Sequence, residues 1–166
     1  MARIKLAIRQ VRIGDFMTRG NNRKPQDIAV AYLLLRMTIG LNLFIHGLSR
    51  LLMGATVFAN SLVPMFAKTF LPGWSVYAFG LVLPWVETIL GLLLLLGFRT
   101  RICLVGCSAL IFVLTFGTSI RQDWNTAGSQ LVYAAIFACL LAYREGDVYS
   151  LDVLVCSRKG SALDSR

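Results

Sequence analysis

Residues 75–96 have the sequence SVYAFGLVLPWVETILGLLLLL, which is almost entirely apolar. Glu87 is the single charged side chain in these 22 residues. About 20 apolar residues in helical form are long enough to cross the roughly 30 Å hydrocarbon core of a bilayer. We therefore predict that residues 75–96 form a membrane-spanning helix.

Three further apolar stretches meet the same criterion, over residues 28–53, 102–120 and 127–143. The composition agrees, because 57% of the 166 residues are hydrophobic and only 15% are charged. A soluble domain of this size would have little room to bury so much apolar surface. The predicted fold class is an all-α membrane protein, a four-transmembrane-helix bundle over residues 28–143.

The remaining segments are predicted to lie outside the bilayer core. Residues 1–27 form a basic N-terminal arm, which reads equally as an amphipathic helix on the membrane surface or as a solvated tail. Residues 54–74 are interrupted by proline and glycine, so we expect an interfacial hairpin or half-helix between the first two spans. Residues 144–166 form a polar C-terminal tail.

Basic residues predict the orientation of the bundle. With the N-terminus inside, the inner segments hold thirteen lysines and arginines and the outer segments hold three. Basic loops stay on the cytoplasmic side, so we expect both termini there, in a multi-pass protein of the cytoplasmic (inner) membrane. The net charge of +9 then faces anionic lipid, and the expected partner is membrane lipid rather than nucleic acid.

Two charged side chains fall within the predicted spans, Arg36 in the first and Glu87 in the second. A charge in the bilayer is costly and is usually paired. Counted from the cytoplasmic ends of their spans, both lie at a similar depth, which predicts that Arg36 and Glu87 pair with each other. Such a pair either fixes the helix register alone or lines a cavity that positions a ligand headgroup.

The first span also carries a polar ridge. Thr38, Asn42, His46 and Arg50 recur every four residues and therefore share one helix face. A neutral imidazole at His46 could bond a quinone carbonyl, move a proton or bind a metal. Equally, His46 could take part in a hydrogen-bond network between helices, and haem ligation is disfavoured because a second axial ligand is not evident.

The loop between the third and fourth spans contains Asp123 and Trp124. It is expected to approach the end of the first span that carries His46 and Arg50. There it would form a polar entrance to an apolar pocket, or else serve as an ordinary interfacial loop with Trp124 as an aromatic anchor.

Small residues in the spans are assigned to packing. Gly40 and Gly47 lie seven residues apart and would let another helix approach closely. Cys103 and Cys107 share a helix face without forming a C-x-x-C pair, so neither a disulfide framework nor a metal site is predicted.

Five short segments together resemble the DoxX family of small bacterial membrane proteins, which includes the DoxD-type large subunit of thiosulfate:quinone oxidoreductase. They are residues 35–40 (LRMTIG), 44–50 (FIHGLSR), 87–91 (ETILG), 96–101 (LGFRTR) and 149–152 (YSLD). Arg50 stands where the family usually has lysine. The resemblance implies a four-helix bundle associated with redox systems or other membrane complexes.

Two functions fit this sequence. In the first, the chain is a DoxX-like membrane subunit of a quinone-linked redox system, with a bound quinone, no intrinsic cofactor and an electron donor on another protein. In the second, it is a non-catalytic accessory subunit of a larger respiratory or photosynthetic complex. Catalytic residues are not assigned, and the candidate residues for a quinone or another headgroup are Arg36, Asn42, His46, Arg50, Glu87, Asp123 and Trp124.

Overall fold

The computed structural model describes residues 24–152, and these residues form five α-helices and a short 3-10 turn. The predicted basic arm up to residue 23 and the tail beyond residue 152 lie outside the described residues. The helices are α1 (Lys24–Met53), α2 (Ala55–Met65), α3 (Gly73–Leu96), α4 (Thr100–Ile120) and α5 (Trp124–Ala142), and the 3-10 turn is Arg144–Gly146.

Four of these helices are long and apolar enough to cross a membrane, namely α1 from Gln26 onwards, α3, α4 and α5. Their outward faces carry large exposed apolar side chains such as Leu34, Phe112 and Leu131, as expected for a surface that contacts lipid. The predicted all-α four-helix membrane bundle is therefore confirmed. The interfacial segment contains the shorter helix α2, which packs on α3.

The bundle is unevenly packed. Helix α1 makes its main contact with α3, and α4 makes its main contact with α5. Helices α1 and α5 touch only sparsely, which leaves a cleft between them. Because the chain runs through the bundle four times, the connections between the helices lie alternately at its two ends. We call these ends the Arg36 end and the Arg50 end, after the arginine of α1 that lies nearer to each.

Glycines bring α1 and α3 into close contact. A Cβ atom added at Gly47 would lie 2.5 Å from the backbone nitrogen of Thr88 and 2.7 Å from the carbonyl oxygen of Pro84. A Cβ at Gly91 would lie 2.7 Å from the Cα of Phe44. The predicted role of Gly47 as a point of close approach is confirmed, and α3 is the helix that approaches there.

At the Arg36 end, the segment after α5 folds back onto the bundle. The buried Arg36 donates a hydrogen bond from Nη2 to the carbonyl oxygen of Tyr149, at 2.8 Å, and forms an ion pair with Asp147 at 3.4 Å. A Cβ at Gly97, which has a φ of 65°, would overlap the Arg36 guanidinium. Glycine at this position therefore makes room for the arginine and also ends α3 in the left-handed conformation.

The same segment caps the next helix. The carboxylate of Asp152 accepts hydrogen bonds from the backbone nitrogens of Arg99, at 2.7 Å, and Thr100, at 2.9 Å. These are backbone donors at the start of α4 that lack a partner within the helix. The polar tail motif 149–152 thus links α1, at Arg36, with the end of α3 and the start of α4.

The predicted pairing of Arg36 with Glu87 is wrong. Gly97 lies against Arg36, and Glu87 comes ten residues before Gly97 in α3, which is about 15 Å away at a rise of about 1.5 Å per residue. The first turns of α1 extend past the end of α3 and contact the 3-10 turn instead, where Gly146 packs against Ile28 and Tyr32. Arg36 consequently pairs with Asp147, whereas Glu87 pairs with Arg50.

Candidate ligand-binding site

A cavity of about 210 Å³ lies in the cleft between α1 and α5, in the half of the bundle towards the Arg50 end. We call it the polar cavity. Its walls combine titratable and amide side chains with an apolar base. It is lined by Ile39, Asn42, Leu43, His46, Arg50, Glu87, Ile111, Leu114, Thr126, Ser129, Gln130, Tyr133 and Phe137.

The most strongly charged feature of the polar cavity is an ion pair between Arg50 and Glu87. The Glu87 side chain is 4% exposed and that of Arg50 is 27% exposed, so the carboxylate is the buried partner. Arg50 also lies over the ring of Phe58 in α2, with its guanidinium carbon 4.8 Å from the ring centre. These contacts hold the guanidinium in one position at the edge of the cavity.

The polar ridge of α1 forms the open side of the cleft. Asn42 and His46 line the cavity and are exposed at its mouth. The hydroxyl of Tyr133 donates a hydrogen bond across the cleft to Oδ1 of Asn42, at a long distance of 3.4 Å. Thr38 takes no part, because its hydroxyl bonds to the carbonyl oxygen of Leu34 at 2.8 Å. Because Asn42 and His46 are exposed within a membrane-spanning helix, the mouth of the cavity faces sideways from the bundle, into the region that the bilayer would occupy.

The wall formed by α5 was not predicted from the sequence. Thr126, Ser129, Gln130 and Tyr133 all line the polar cavity. Gln130 is buried, and its side-chain oxygen accepts a hydrogen bond from the hydroxyl of Thr118 at 2.8 Å. The four residues recur at offsets of three, four and seven, the signature of one helix face. That spacing within the fourth span is the signal that could have identified them.

Asp123 and Trp124 lie outside the polar cavity, contrary to the expected entrance. The Asp123 carboxylate caps α5, accepting hydrogen bonds from the hydroxyl of Thr126 at 2.8 Å and from its backbone nitrogen at 3.2 Å. These two bonds, and then the nearby Arg121, lower the pKa of Asp123. Trp124 is 67% exposed, as an aromatic anchor at the membrane surface would be.

Of the seven candidate residues, the structure brings four together, Asn42, His46, Arg50 and Glu87. Arg36 lies at the opposite end of the bundle and is held by Asp147. Whether these four residues bind a ligand stays a prediction.

The cleft supplies hydrogen-bond donors and acceptors at fixed positions above an apolar base. Arg50 donates, His46 and Tyr133 can donate or accept, and Gln130 offers an amide. Such a set suits a flat, neutral headgroup with carbonyl oxygens at its edge. Within residues 24–152, no three histidine, cysteine, aspartate or glutamate side chains converge in a way that could hold a metal ion.

The fold and the cleft define a small multi-pass membrane protein with a polar cavity open towards lipid. Residues 48–165 match the family model described as TQO small subunit DoxD. The match covers more than half of the chain, so this protein belongs to the DoxD family, which indicates a membrane subunit of a quinone-related oxidoreductase that forms part of a larger complex.

The matched family is described as a small subunit, whereas the sequence resemblance pointed to a large one. The large-subunit relation and the DoxX name therefore stay predictions. Arg50 and Glu87 fall inside the matched range, and Asn42 and His46 precede it. A comparison with curated proteins finds no match, and a comparison with solved structures finds none either.

Proposed function

We propose that the polar cavity binds the headgroup of a membrane quinone, which receives electrons from a partner subunit. The observation that carries this proposal is the sideways opening of a polar cleft within membrane-spanning helices, with Asn42 and His46 at its mouth. A quinone dissolved in the bilayer would enter by this route without crossing water. The chain supplies binding and proton-donating groups, and the redox chemistry belongs to the quinone.

Each side chain of the polar cavity has a proposed role that follows from its position. His46 and Tyr133 lie on opposite walls, and each can donate a hydrogen bond to a quinone carbonyl. Arg50, fixed by Glu87 and Phe58, places a positive charge at the edge of the cavity, which would stabilise the negative charge that builds up on a quinone oxygen during reduction. Quinone reduction also takes up protons, and His46 is suited to deliver them.

Binding of a tail-less benzoquinone to the purified protein in lipid nanodiscs tests the proposal. A lost hydrogen bond of about 1.4 kcal/mol weakens binding about tenfold, so His46→Leu and Asn42→Leu should each raise Kd about tenfold. Thr38→Val is the matched control, because Thr38 lies on the same ridge and bonds only to its own helix. Equal binding by His46→Leu, Asn42→Leu and Thr38→Val would count against a quinone site in this cleft.

A second candidate function uses the same cleft differently. The chain could be an accessory subunit whose partner inserts a helix between α1 and α5, since Asn42 and His46 present unshielded polar groups inside the membrane-spanning region. In that case Asn42→Leu and His46→Leu would reduce co-purification of the partner subunit and leave quinone reduction per assembled complex unchanged. Measuring both quantities on the same preparation separates the two functions.

We also propose that the Arg36 end faces the cytoplasm of a bacterial cell. Support comes from the basic residues, thirteen on that side against three on the other. Lys68→Cys and Arg144→Cys place thiols at opposite ends of the bundle. With the four native cysteines replaced by serine, a membrane-impermeant thiol reagent applied to intact spheroplasts should label the first variant and spare the second, and the reverse pattern would invert the topology.

A further inference from the structure

A second cavity, of about 370 Å³, lies beside the polar cavity, under helix α2. We call it the apolar cavity. Its walls come from α2, the start of α3 and the end of α4, and its lining is dominated by phenylalanine, leucine and valine. The side chains that carry the inference are Phe58, Leu62, Phe66, Phe79, Val113 and Phe116.

The two cavities share a wall. Arg50, Leu114, Thr126 and Gln130 line both of them. Arg50 lies at the junction, with Glu87 on the side of the polar cavity and the ring of Phe58 on the side of the apolar cavity. The two cavities are therefore adjacent, and the character of their lining changes from polar to apolar at Arg50.

The volumes of the two cavities also suggest that each would hold a different part of one ligand. Pockets for small ligands typically measure roughly 300–1,000 Å³, so the polar cavity at about 210 Å³ is too small for a whole prenylated quinone. The apolar cavity, at about 370 Å³, adds a compartment with the composition that a branched hydrocarbon chain requires.

Resting on the proposed function, we propose that the apolar cavity holds the isoprenoid units nearest to the quinone ring while the headgroup occupies the polar cavity. The bond between ring and tail then lies beside Arg50. The protein would recognise its ligand by the tail as well as by the headgroup, and α2 would serve as the wall that retains the tail.

The exits of the apolar cavity agree with this arrangement. Phe79, Val113 and Phe116 are 37%, 45% and 53% exposed, so this side opens onto the lipid-facing surface, where the rest of a long tail can continue. On another side, Arg121 lies over the ring of Phe66 at 5.3 Å and pairs with Asp123. A charged side chain there bounds the apolar space towards water.

Two glycines offer a matched pair of variants for the test. Gly117 lines the apolar cavity, and a Cβ atom there would contact the ring of Phe66 at 3.5 Å, so Gly117→Leu fills the space without a backbone clash. Gly128 is exposed, and a Cβ atom there meets nothing within 4 Å, so Gly128→Leu is the control. Leu71→Trp fills the cavity from the connection between α2 and α3.

The experiment measures Kd in nanodiscs for three ligands with the same benzoquinone headgroup, carrying no tail, a geranyl tail or an unbranched alkyl tail of equal length. We expect Gly117→Leu and Leu71→Trp to weaken binding of the geranyl ligand at least tenfold and to leave binding of the tail-less ligand unchanged. The tail-less ligand thereby reports whether each variant still folds. Gly128→Leu should behave as the wild type with all three ligands.

Three outcomes would overturn the inference: retained affinity of the filled variants for the geranyl ligand, an equal loss for the tail-less ligand, or equally tight binding of the unbranched tail, which would mark a general acyl-chain site. If the wild type binds no quinone, the proposed function fails by itself. A geranyl diazirine without a headgroup then tests the cavity directly. Cross-links to residues 58–79 and 113–117 would support an isoprenoid site, and their absence would exclude it.

Discussion

Arg50 and Glu87 form an ion pair, and replacing one or the other should lower the free energy of unfolding by different amounts. Glu87 is the buried partner, with 4% of its side chain exposed, whereas 27% of the Arg50 side chain is exposed. Arg50→Gln strands a carboxylate inside the bundle, and Glu87→Gln strands a guanidinium near the end of α1. The flexible stem of Arg50 can carry its charge towards the membrane surface, but the short side chain of Glu87 has no such route.

These differences set the expected free energies. Removing one partner of a buried pair costs about 3–5 kcal/mol, so Arg50→Gln should lower the free energy of unfolding by about 3–4 kcal/mol. This cost includes the loss of the contact with Phe58, about 0.5–1 kcal/mol. Glu87→Gln should cost only about 1–2 kcal/mol, because the remaining arginine is part-exposed. The double variant should cost less than Arg50→Gln alone, since it leaves no unpaired charge.

The free energies of unfolding of the wild type, the two single variants and the double variant can be measured by titrating the protein in micelles with a denaturing detergent. Tryptophan fluorescence follows the unfolding. Lys68→Gln is the control for the loss of a basic residue, because Lys68 is exposed in the segment between α2 and α3. It should change the free energy of unfolding by less than about 0.5 kcal/mol. Additive single costs would refute the ion pair, and a larger cost for Glu87→Gln than for Arg50→Gln would refute the assignment of Glu87 as the buried partner.

The remaining predictions concern packing, the Arg36 end and the α5 cap. Gly47→Ala should destabilise the bundle by about 2–3 kcal/mol in the same titration, because the added carbon meets the backbone of α3, whereas Gly128→Ala should be neutral or stabilising by up to about 1 kcal/mol. Asp147→Asn should cost about 3 kcal/mol by leaving the buried Arg36 without its counter-charge, and an unchanged midpoint would contradict that role. The lowered pKa of Asp123 means that its stabilisation is present above the ordinary value of 3.8 and is lost as the pH falls through the lowered value. Asp123→Asn should therefore flatten the acid limb of a thermal-unfolding profile, and an unaltered acid limb would show that other carboxylates determine it.

The four membrane spans could be predicted from the sequence because each is recognised from one continuous segment of the chain. Each span is a run of apolar residues whose length can be compared directly with the thickness of a bilayer. The partner of Arg36 could not be predicted from local sequence, because it depends on the register of α1 against α3. Gly47 and Gly91 set that register through backbone contacts, and a count of residues from the span ends missed it by about 15 Å.

The site could be predicted in part for the same reason. Asn42, His46 and Arg50 share a face by helical spacing alone, and the structure places all three on one cavity. The partner wall required knowing which helix faces α1 across the cleft. Asp123 looked like a site residue because it is charged and close in sequence to the right end of the bundle, yet the start of α5 uses its carboxylate as a cap.

The two ends of the bundle therefore serve different purposes, and this separation bears on function. At the Arg36 end, the arginine, Gly97 and the 149–152 segment contact one another and hold α1, α3 and α4 together. Towards the Arg50 end, the cavity between α1 and α5 is lined by polar side chains, and Asn42 and His46 are exposed there. Because α1 and α5 touch only sparsely, a ligand can enter between them without disturbing the extensive contact between α1 and α3. Variants at the Arg36 end should therefore change stability before ligand affinity, and variants around Asn42 and His46 should change affinity before stability.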